Sequence, residues 1–409
     1  MKIKHIYIIS VAVCFLCALV FHPIEYNDTP SYLSAWNTLS SGRWDTFRTP
    51  LYPVVLGVAR NLLGKVWKWG VMIIQYGVFL LSIKYFHHIA SSLLKERWAL
   101  IMTAFYAIYP TFNSWGNLLL TDSLGLSLSV LFFYNCFRII NNGSVKHTFL
   151  MASLLLLLLA LRPSSISLLI PAAISFFLVL FTKEKRSAGI VGLAGIAVCS
   201  ALLIAYSFNI KERTGVFTPS TVSVSNDFAI ARIYGYLSPE AANERADVLR
   251  QNYEKYGEEL MEGPILYGAL GDLTNEFSVA EMKQLVDKSI RSNPILWLKA
   301  LIKRTYLAAL TPSMTSYTSD LFRLHPLFPI NIGIVLLLMV IYCIIIIIST
   351  LKEHFPLVNF FLLITCLCVI GVSIVGAQYE YHRLILPAMP LVLIIRGQLL
   401  QRISIVLHE

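Results

Sequence analysis

Charge is what this sequence has least of. Asp, Glu, Lys and Arg make up 14% of its 409 residues, against 56% hydrophobic ones, whereas a water-solvated domain carries about a quarter charged residues. With a mean hydropathy of +0.67, the chain is not solvated mainly by water. Cysteine is missing from every polar stretch. Cys14, Cys17, Cys136, Cys199, Cys343, Cys366 and Cys368 all lie in apolar runs, which excludes a disulfide-stapled external domain. Cys14 and Cys17 form a CxxC, but within an apolar helix that reads as packing, not redox chemistry. A phosphate-binding glycine loop, zinc-ligand spacing and a dinucleotide fingerprint are absent. So are internal repeats, and with them the paired interrupted helices of an inverted-repeat transporter. The net charge of +10 is not gathered into a basic stripe interleaved with aromatics, so nucleic acid is not the expected partner. The basic residues instead flank apolar runs, where anionic membrane lipids and the insertion machinery read them.

Long apolar runs are what the chain does have. "IYIISVAVCFLCALVF" from Ile6, "INIGIVLLLMVIYCIIIIIST" from Ile330 and "FPLVNFFLLITCLCVIGVSIVG" from Phe355 approach the roughly 20 residues a helix needs to cross a bilayer. The expected fold is an all-α polytopic membrane protein. Read in order, the runs predict about ten transmembrane helices, near residues 5–22, 67–88, 97–111, 118–140, 147–161, 164–182, 188–208, 327–350, 355–376 and 383–400. No small-x-small cleavage site follows the first run, and Val13 spoils "VAVC" as a lipobox, so the first helix is expected to be retained.

Orientation follows from the basic residues. Lys2 and Lys4 put the N-terminus in the cytoplasm. Alternation from there leaves Lys95, Arg97, Arg138, Lys146, Lys183, Lys185, Arg186, Lys352 and Arg402 inside, with both termini cytoplasmic. The exceptions, Arg43, Arg48, Arg60, Lys65 and Lys68, sit in or beside the first external loop. Residues 147–182 as one helix would measure about 54 Å, and Arg162-Pro163 in the middle favours two short spans with a turn.

Two polar regions interrupt the pattern, and both come out extracytoplasmic. Residues 23–66 form a first loop with two surface helices, and residues 209–326 form a partly helical insert too long for a connector. The organisation is therefore an N-terminal module (1–208), the insert (209–326) and a C-terminal module (327–409). In the insert, Ser238-Pro239-Glu240 reads as a helix start and "SVAE" from Ser278 as a capping box. "NPILWLKALIKRTYLAAL" from Asn293 puts Ile295, Leu298 and Ile302 on one side with Lys299, Lys303 and Arg304 between. That pattern fits a helix lying in the membrane interface and equally an ordinary surface helix of the insert.

Five charged residues fall at the predicted outer boundary: Asp28 and Arg48 in the first loop, Asp122 and Arg162 at span ends, and Arg383 opening the last span. Charges there are costly and usually face a cavity. Each also has a plainer reading. Asp28 and Asp122 stand where helix N-caps are wanted, and an arginine at a span end reaches headgroups by snorkelling. Glu380 and His382 beside Arg383 read as a helix anchor, and His87-His88, without acidic neighbours, as interfacial packing.

The order of these residues resembles the GT-C class of glycosyltransferases, in the branch of protein O-mannosyltransferases and the lipid A aminoarabinose transferase. Asp28, Tyr32, Ala35, Gly42, Arg48, Pro50, Tyr52 and Pro53 follow that class's first-loop order. "NLLLTDSLGLSLSVLFFY" supplies Asp122, "LRPSSISLLIP" supplies Arg162, and "YEYHRLILPAMPLVLI" supplies Tyr381 and Arg383. The resemblance covers most of the chain except the insert. It implies a GT-C-like fold and inverting transfer of a sugar from a polyprenyl-phosphate donor to an extracytoplasmic glycan, lipid or protein acceptor, in a bacterial plasma membrane. It also implies that Asp28 is the catalytic carboxylate, with Asp122 a second acid at the site. Arg48, Tyr32, Tyr52, Arg162, Tyr381 and Arg383 then bind substrate. A magnesium or manganese ion is left open by the family. Here Asn27 stands where a second loop acid would complete a pair, Glu25 is the only substitute, and the residues specify no metal site. The rival readings are an outer-leaflet polysaccharide polymerase or ligase, a permease or flippase, and a non-catalytic membrane subunit.

Overall fold

The computed structural model describes residues 2–258, 263–310, 332–352, 357–376 and 381–406. Among these, every regular element is a helix. The first half runs α1 (Ile3–Phe21), α2 (Thr29–Ser40), α3 (Leu51–Leu63), α4 (Trp67–Leu93), α5 (Glu96–Ile108), the single turn α6 (Pro110–Asn113), α7 (Asp122–Asn142), α8 (Val145–Leu161), α9 (Leu169–Val179) and α10 (Arg186–Thr214). The insert contributes α11 (Thr221–Ile233), α12 (Ala246–Tyr256), α13 (Gly263–Glu276), α14 (Val279–Ser292) and α15 (Pro294–Leu310). The chain ends with α16 (Ile332–Lys352), α17 (Leu357–Gly376), α18 (Tyr381–Ile385) and α19 (Met389–Val406).

Six helical stretches among the described residues are long and apolar enough to cross a membrane: Ile3–Phe21, Leu51–Leu93, Asp122–Asn142, Lys183–Thr214, Leu357–Gly376 and Arg383–Ser404. Val145–Leu161, Pro163–Val179 and Gly333–Ile348 are apolar but shorter. Large apolar side chains such as Ile73, Phe149, Phe181, Val198 and Leu337 point outward, an arrangement that hydrocarbon solvates and water does not. The architecture is consistent with a helical membrane protein.

All ten expected runs contain helix, but their edges differ in instructive ways. The run at 97–111 yields only α5, whose thirteen residues span about 20 Å, less than the roughly 30 Å hydrocarbon core. The run at 118–140 becomes helical only at Asp122, because Leu118 is paired in extended form with Ile24. Arg162-Pro163 breaks the apolar stretch 147–182 as expected: Arg162 adopts φ −147°, ψ 131°, and a 3-10 segment, Pro163–Leu168, leads into α9.

Both loop helices are present. In α2 Pro30 occupies the first turn, where its missing N–H costs nothing. α3 packs against α2 through Gly57, where an added Cβ would lie 1.9 Å from the ring of Trp36. The insert has its own small core around Phe228, Leu249, Leu273 and Leu285. The Ser278 capping box forms, with Glu281 N–H donating to Ser278 Oγ at 3.3 Å and Ser278 N–H to Glu281 Oε2 at 2.8 Å. Ser238 starts a 3-10 turn, Glu240–Arg245, kinked at Asn243, where an α-helix was expected. α15 buries Ala300, Arg304 and Ala308 and exposes Ile295, Leu298 and Ile302.

Candidate functional site

The site is built where the exit of α1 meets the entry of α7. Ile24 N–H donates to Asn117 O at 2.8 Å and Leu119 N–H to Ile24 O at 2.9 Å. Polar side chains secure this junction from below. Gln75, wholly buried in α4, donates to the carbonyls of Gly116 and Leu118 at 2.9 Å each. Asn117 donates to Cys17 O and His22 O at 3.0 Å each and accepts from the Tyr76 hydroxyl. Thr29 Oγ1 ties the start of α2 to Leu119 O at 3.0 Å. These bonds satisfy backbone groups that could find no water in an apolar interior, and they carry Asp28 to Asp122.

Asp28 does occupy the N-cap position of α2, yet its side chain makes no capping hydrogen bond. Its oxygens go elsewhere. Arg48 Nη2 lies 2.7 Å from Oδ1 and Arg383 Nη2 lies 2.8 Å from Oδ2. Arg383 Nε lies 2.9 Å from Asp122 Oδ2, and Arg162 Nη2 lies 3.2 Å from Asp122 Oδ1. The result is one unbroken chain of charge, Arg48–Asp28–Arg383–Asp122–Arg162, drawn from four separate parts of the sequence. The two aspartates and three arginines expected to share a boundary site are thus in direct contact.

Exposure grades along this chain. The side chains are 28% exposed at Asp28, 13% at Arg48, 8% at Arg383, 5% at Arg162 and 0% at Asp122. Asp28 and Arg48 form the mouth, and Asp122 is the floor. Burial pushes the Asp28 carboxyl upward, but Arg383 and then Arg48 outweigh it and hold its pKa below the usual 3.8, so Asp28 is ionised at neutral pH. Among the described residues the cluster holds three guanidiniums and two carboxylates, a surplus of one positive charge that suits an anion. The same count disfavours a divalent cation: each aspartate is already held by two arginines, and Glu25 is engaged by Lys68 at 2.7 Å. Among the described residues no group of three or more His, Cys, Asp or Glu could hold a metal.

The tyrosines divide. Tyr32 lies under Arg48, 4.4 Å from guanidinium carbon to ring centroid, and its hydroxyl accepts from Nη1 at 3.4 Å. Tyr52 is fully buried and donates its hydroxyl to Gln75 Oε1 at 2.9 Å. That corrects its expected place as a substrate contact, since α3 begins at Leu51 and turns Tyr52 into the scaffold against Tyr32. The side chain of Tyr381 lies outside the described residues.

Three further residues shape the site. Ser31 Oγ accepts from Arg48 Nε at 2.8 Å and donates to Asp28 O at 2.7 Å. Its position one helical turn past Asp28 was the available signal. Gln75, a lone amide inside an apolar run, was another. Gly125 leaves room for Arg162 to cross α7, because a Cβ there would stand 3.0 Å from Arg162 Cδ and 3.2 Å from Nη1; nothing in the sequence distinguishes it. Arg162 Nη1 is buried with no hydrogen-bond partner among the described residues. Beside the cluster, Ser164, Ser165, Ser167 and Ser373 line a small cavity of about 10 Å³.

No protein-family model matches the chain, and a search of curated proteins finds no significant match. What is defined at this point is an all-helical protein suited to a membrane, with a five-residue charge chain open at one end.

Proposed function

We propose that this chain is a GT-C-type membrane glycosyltransferase that moves a sugar from a polyprenyl-phosphate donor to an extracytoplasmic acceptor. The single observation that carries this reading is the charge chain with an ionised carboxylate at its mouth. Six long apolar stretches and three shorter ones support a polytopic bundle close to the ten spans expected; α5, at thirteen residues, would cross only where the bilayer thins around it. The basic residues at one set of ends support cytoplasmic termini in a bacterial plasma membrane, with insert and site outside. The family resemblance of the sequence motifs adds the donor class.

The chemistry follows from the partners. A donor phosphodiester carries one negative charge, equal to the surplus of the cluster. It binds by taking over Arg48 and Arg383 from Asp28, using the forked donors that suit phosphate. Asp28 then loses the two cations that depress its pKa and becomes a better base. The acceptor hydroxyl oxygen attacks the anomeric carbon from the face opposite the phosphate. The new C–O bond forms as the bond from carbon to phosphate oxygen breaks, the hydroxyl proton passes to Asp28, and the electron pair leaves with polyprenyl phosphate. The arginines stabilise that leaving group as its charge grows. Asp122, sealed at the floor, orients Arg383 and Arg162 in place of contacting the acceptor.

The test is transfer in proteoliposomes with a panel of polyprenyl-phosphate sugars. Asp28→Asn should lower the rate about 10²- to 10⁴-fold while leaving the protein folded. Full activity in that variant would remove the catalytic assignment. Activity only with diphosphate-linked oligosaccharides would favour a polymerase.

A further inference from the structure

The loop that carries Arg48 is held by the base of the insert through four successive backbone carbonyls. Arg213 Nη1 donates to Trp44 O at 2.5 Å and the Tyr206 hydroxyl to Asp45 O at 3.1 Å. Thr221 gives Thr46 O both its N–H, at 2.9 Å, and its hydroxyl, at 3.1 Å. Ser220 Oγ donates to Phe47 O at 2.5 Å. Inside the loop, Asp45 Oδ1 accepts the N–H groups of Phe47 at 2.8 Å and Arg48 at 2.6 Å. Surface loops ordinarily give their carbonyls to water; this one gives each to a donor from a single stretch, the end of α10 and the start of α11.

The same insert reaches the other side of Asp28. Asn226 of α11 donates to Gly376 O at 3.3 Å and Arg304 of α15 to Val375 O at 3.0 Å. These are the last residues of α17, and Arg383 follows seven positions after Gly376. The insert therefore contacts both the loop that carries Arg48 and the end of α17, without any of these contacts entering the charge chain.

We propose that the elbow between α10 and α11 is a positioning device for Arg48, with Tyr206, Arg213, Ser220 and Thr221 as its positioning residues, so that anion binding at the cluster depends on the state of the insert. A guanidinium on a flexible stem grips a phosphate well only when its backbone is fixed, since the loss of rotamer freedom is otherwise added to binding. Acceptor seated on the insert would thereby be coupled to donor phosphate held by Arg48. The anion in this inference rests on the transferase reading, whereas the loop geometry does not.

The experiment uses the full chain in lipid nanodiscs, with farnesyl phosphate as the probe. Tyr206→Phe combined with Thr221→Val removes two hydroxyls while keeping the ring and the Thr46 carbonyl's N–H partner. The pair should weaken farnesyl phosphate binding about five- to twentyfold, the scale of two hydrogen bonds. In an Arg48→Gln background it should cause no further loss, because the route runs through Arg48. Hydrogen exchange at the Phe47 and Arg48 amides should quicken while α7 is unchanged. Equal weakening in both backgrounds, or none in either, overturns the proposal and leaves the transferase reading standing. Wild-type protein that binds no farnesyl phosphate counts against the transferase reading; unchanged protection of the two amides then overturns the positioning role by itself.

Discussion

Two buried arginines in this molecule do opposite things. Arg232 in the insert is wholly buried, and its hydrogen-bond partners among the described residues are neutral: Nε donates to Asn252 Oδ1 at 2.7 Å, Nη2 to Gly257 O at 2.6 Å and Asn252 O at 3.3 Å, and Nη1 to Glu258 O at 3.1 Å. Its guanidinium also lies 4.0 Å over the ring of Tyr253. Arg383 is nearly as buried but faces two carboxylates, one of them open to the mouth of the site. Backbone carbonyls fixed by the fold cannot be exchanged for a ligand. A carboxylate on a partly exposed side chain can, because a phosphate oxygen offers the same charge and geometry. A buried arginine is thus a latch or a site according to whether its partners are replaceable.

Breaking the two arginines should separate these roles. Arg383→Gln leaves Asp122 fully buried beside Arg162 alone, and removal of one member of a buried pair costs about 3–5 kcal/mol. Thermal unfolding in detergent should register that loss, and adding Asp122→Asn should recover part of it while transfer stays absent. Arg232→Met orphans three or more acceptors and should destabilise the insert by about 2–4 kcal/mol. Protease sensitivity confined to residues 209–310 would register it, with anion binding intact in the folded fraction.

Smaller changes sharpen the contrast. Gly125→Ala presses a methyl against Arg162 at 3.0–3.2 Å, which should cost about 1 kcal/mol and weaken phosphate binding, whereas Gly271→Ala, with open space around it, should leave phosphate binding unchanged. The smallest effect belongs to Asp227 in α11. Burial raises its pKa from 3.8 to about 6, against the opposing pull of Lys283 and Arg304. A carboxyl raised in the folded state favours folding while protonated, so this contribution is present below 3.8 and lost as pH rises through about 6. Asp227→Asn should flatten that fall and make the insert slightly more stable at neutral pH, measured by unfolding across the pH series. A variant with the wild-type slope would assign the pH dependence to another group.

Much of the site was legible in the chain because charge stands out in an apolar sequence. Asp122, Arg162 and Arg383 sit at edges of apolar runs, where a charge is expensive, whereas Asp28 and Arg48, in the first loop among other charges, stood out by the order of motifs that resembles the GT-C class. Pairing was not legible. That Arg383 reaches both aspartates depends on α18 meeting α2 and α7, contacts more than 250 residues apart in the chain for Asp122. Tyr52 is a substrate contact by the resemblance, but the helix that starts at Leu51 turns it inward to Gln75.

The sequence by itself determined where the apolar helical runs lie, the break at Arg162-Pro163 and which charges stand at run edges, since hydropathy, proline and the cost of buried charge act locally. Only the tertiary structure decided which carboxylate stands at the opening and which is sealed, and which carbonyls of the Arg48 loop the insert holds. Those depend on which chain ends are packed side by side, and a backbone carbonyl carries no residue identity by which the sequence could announce its partner.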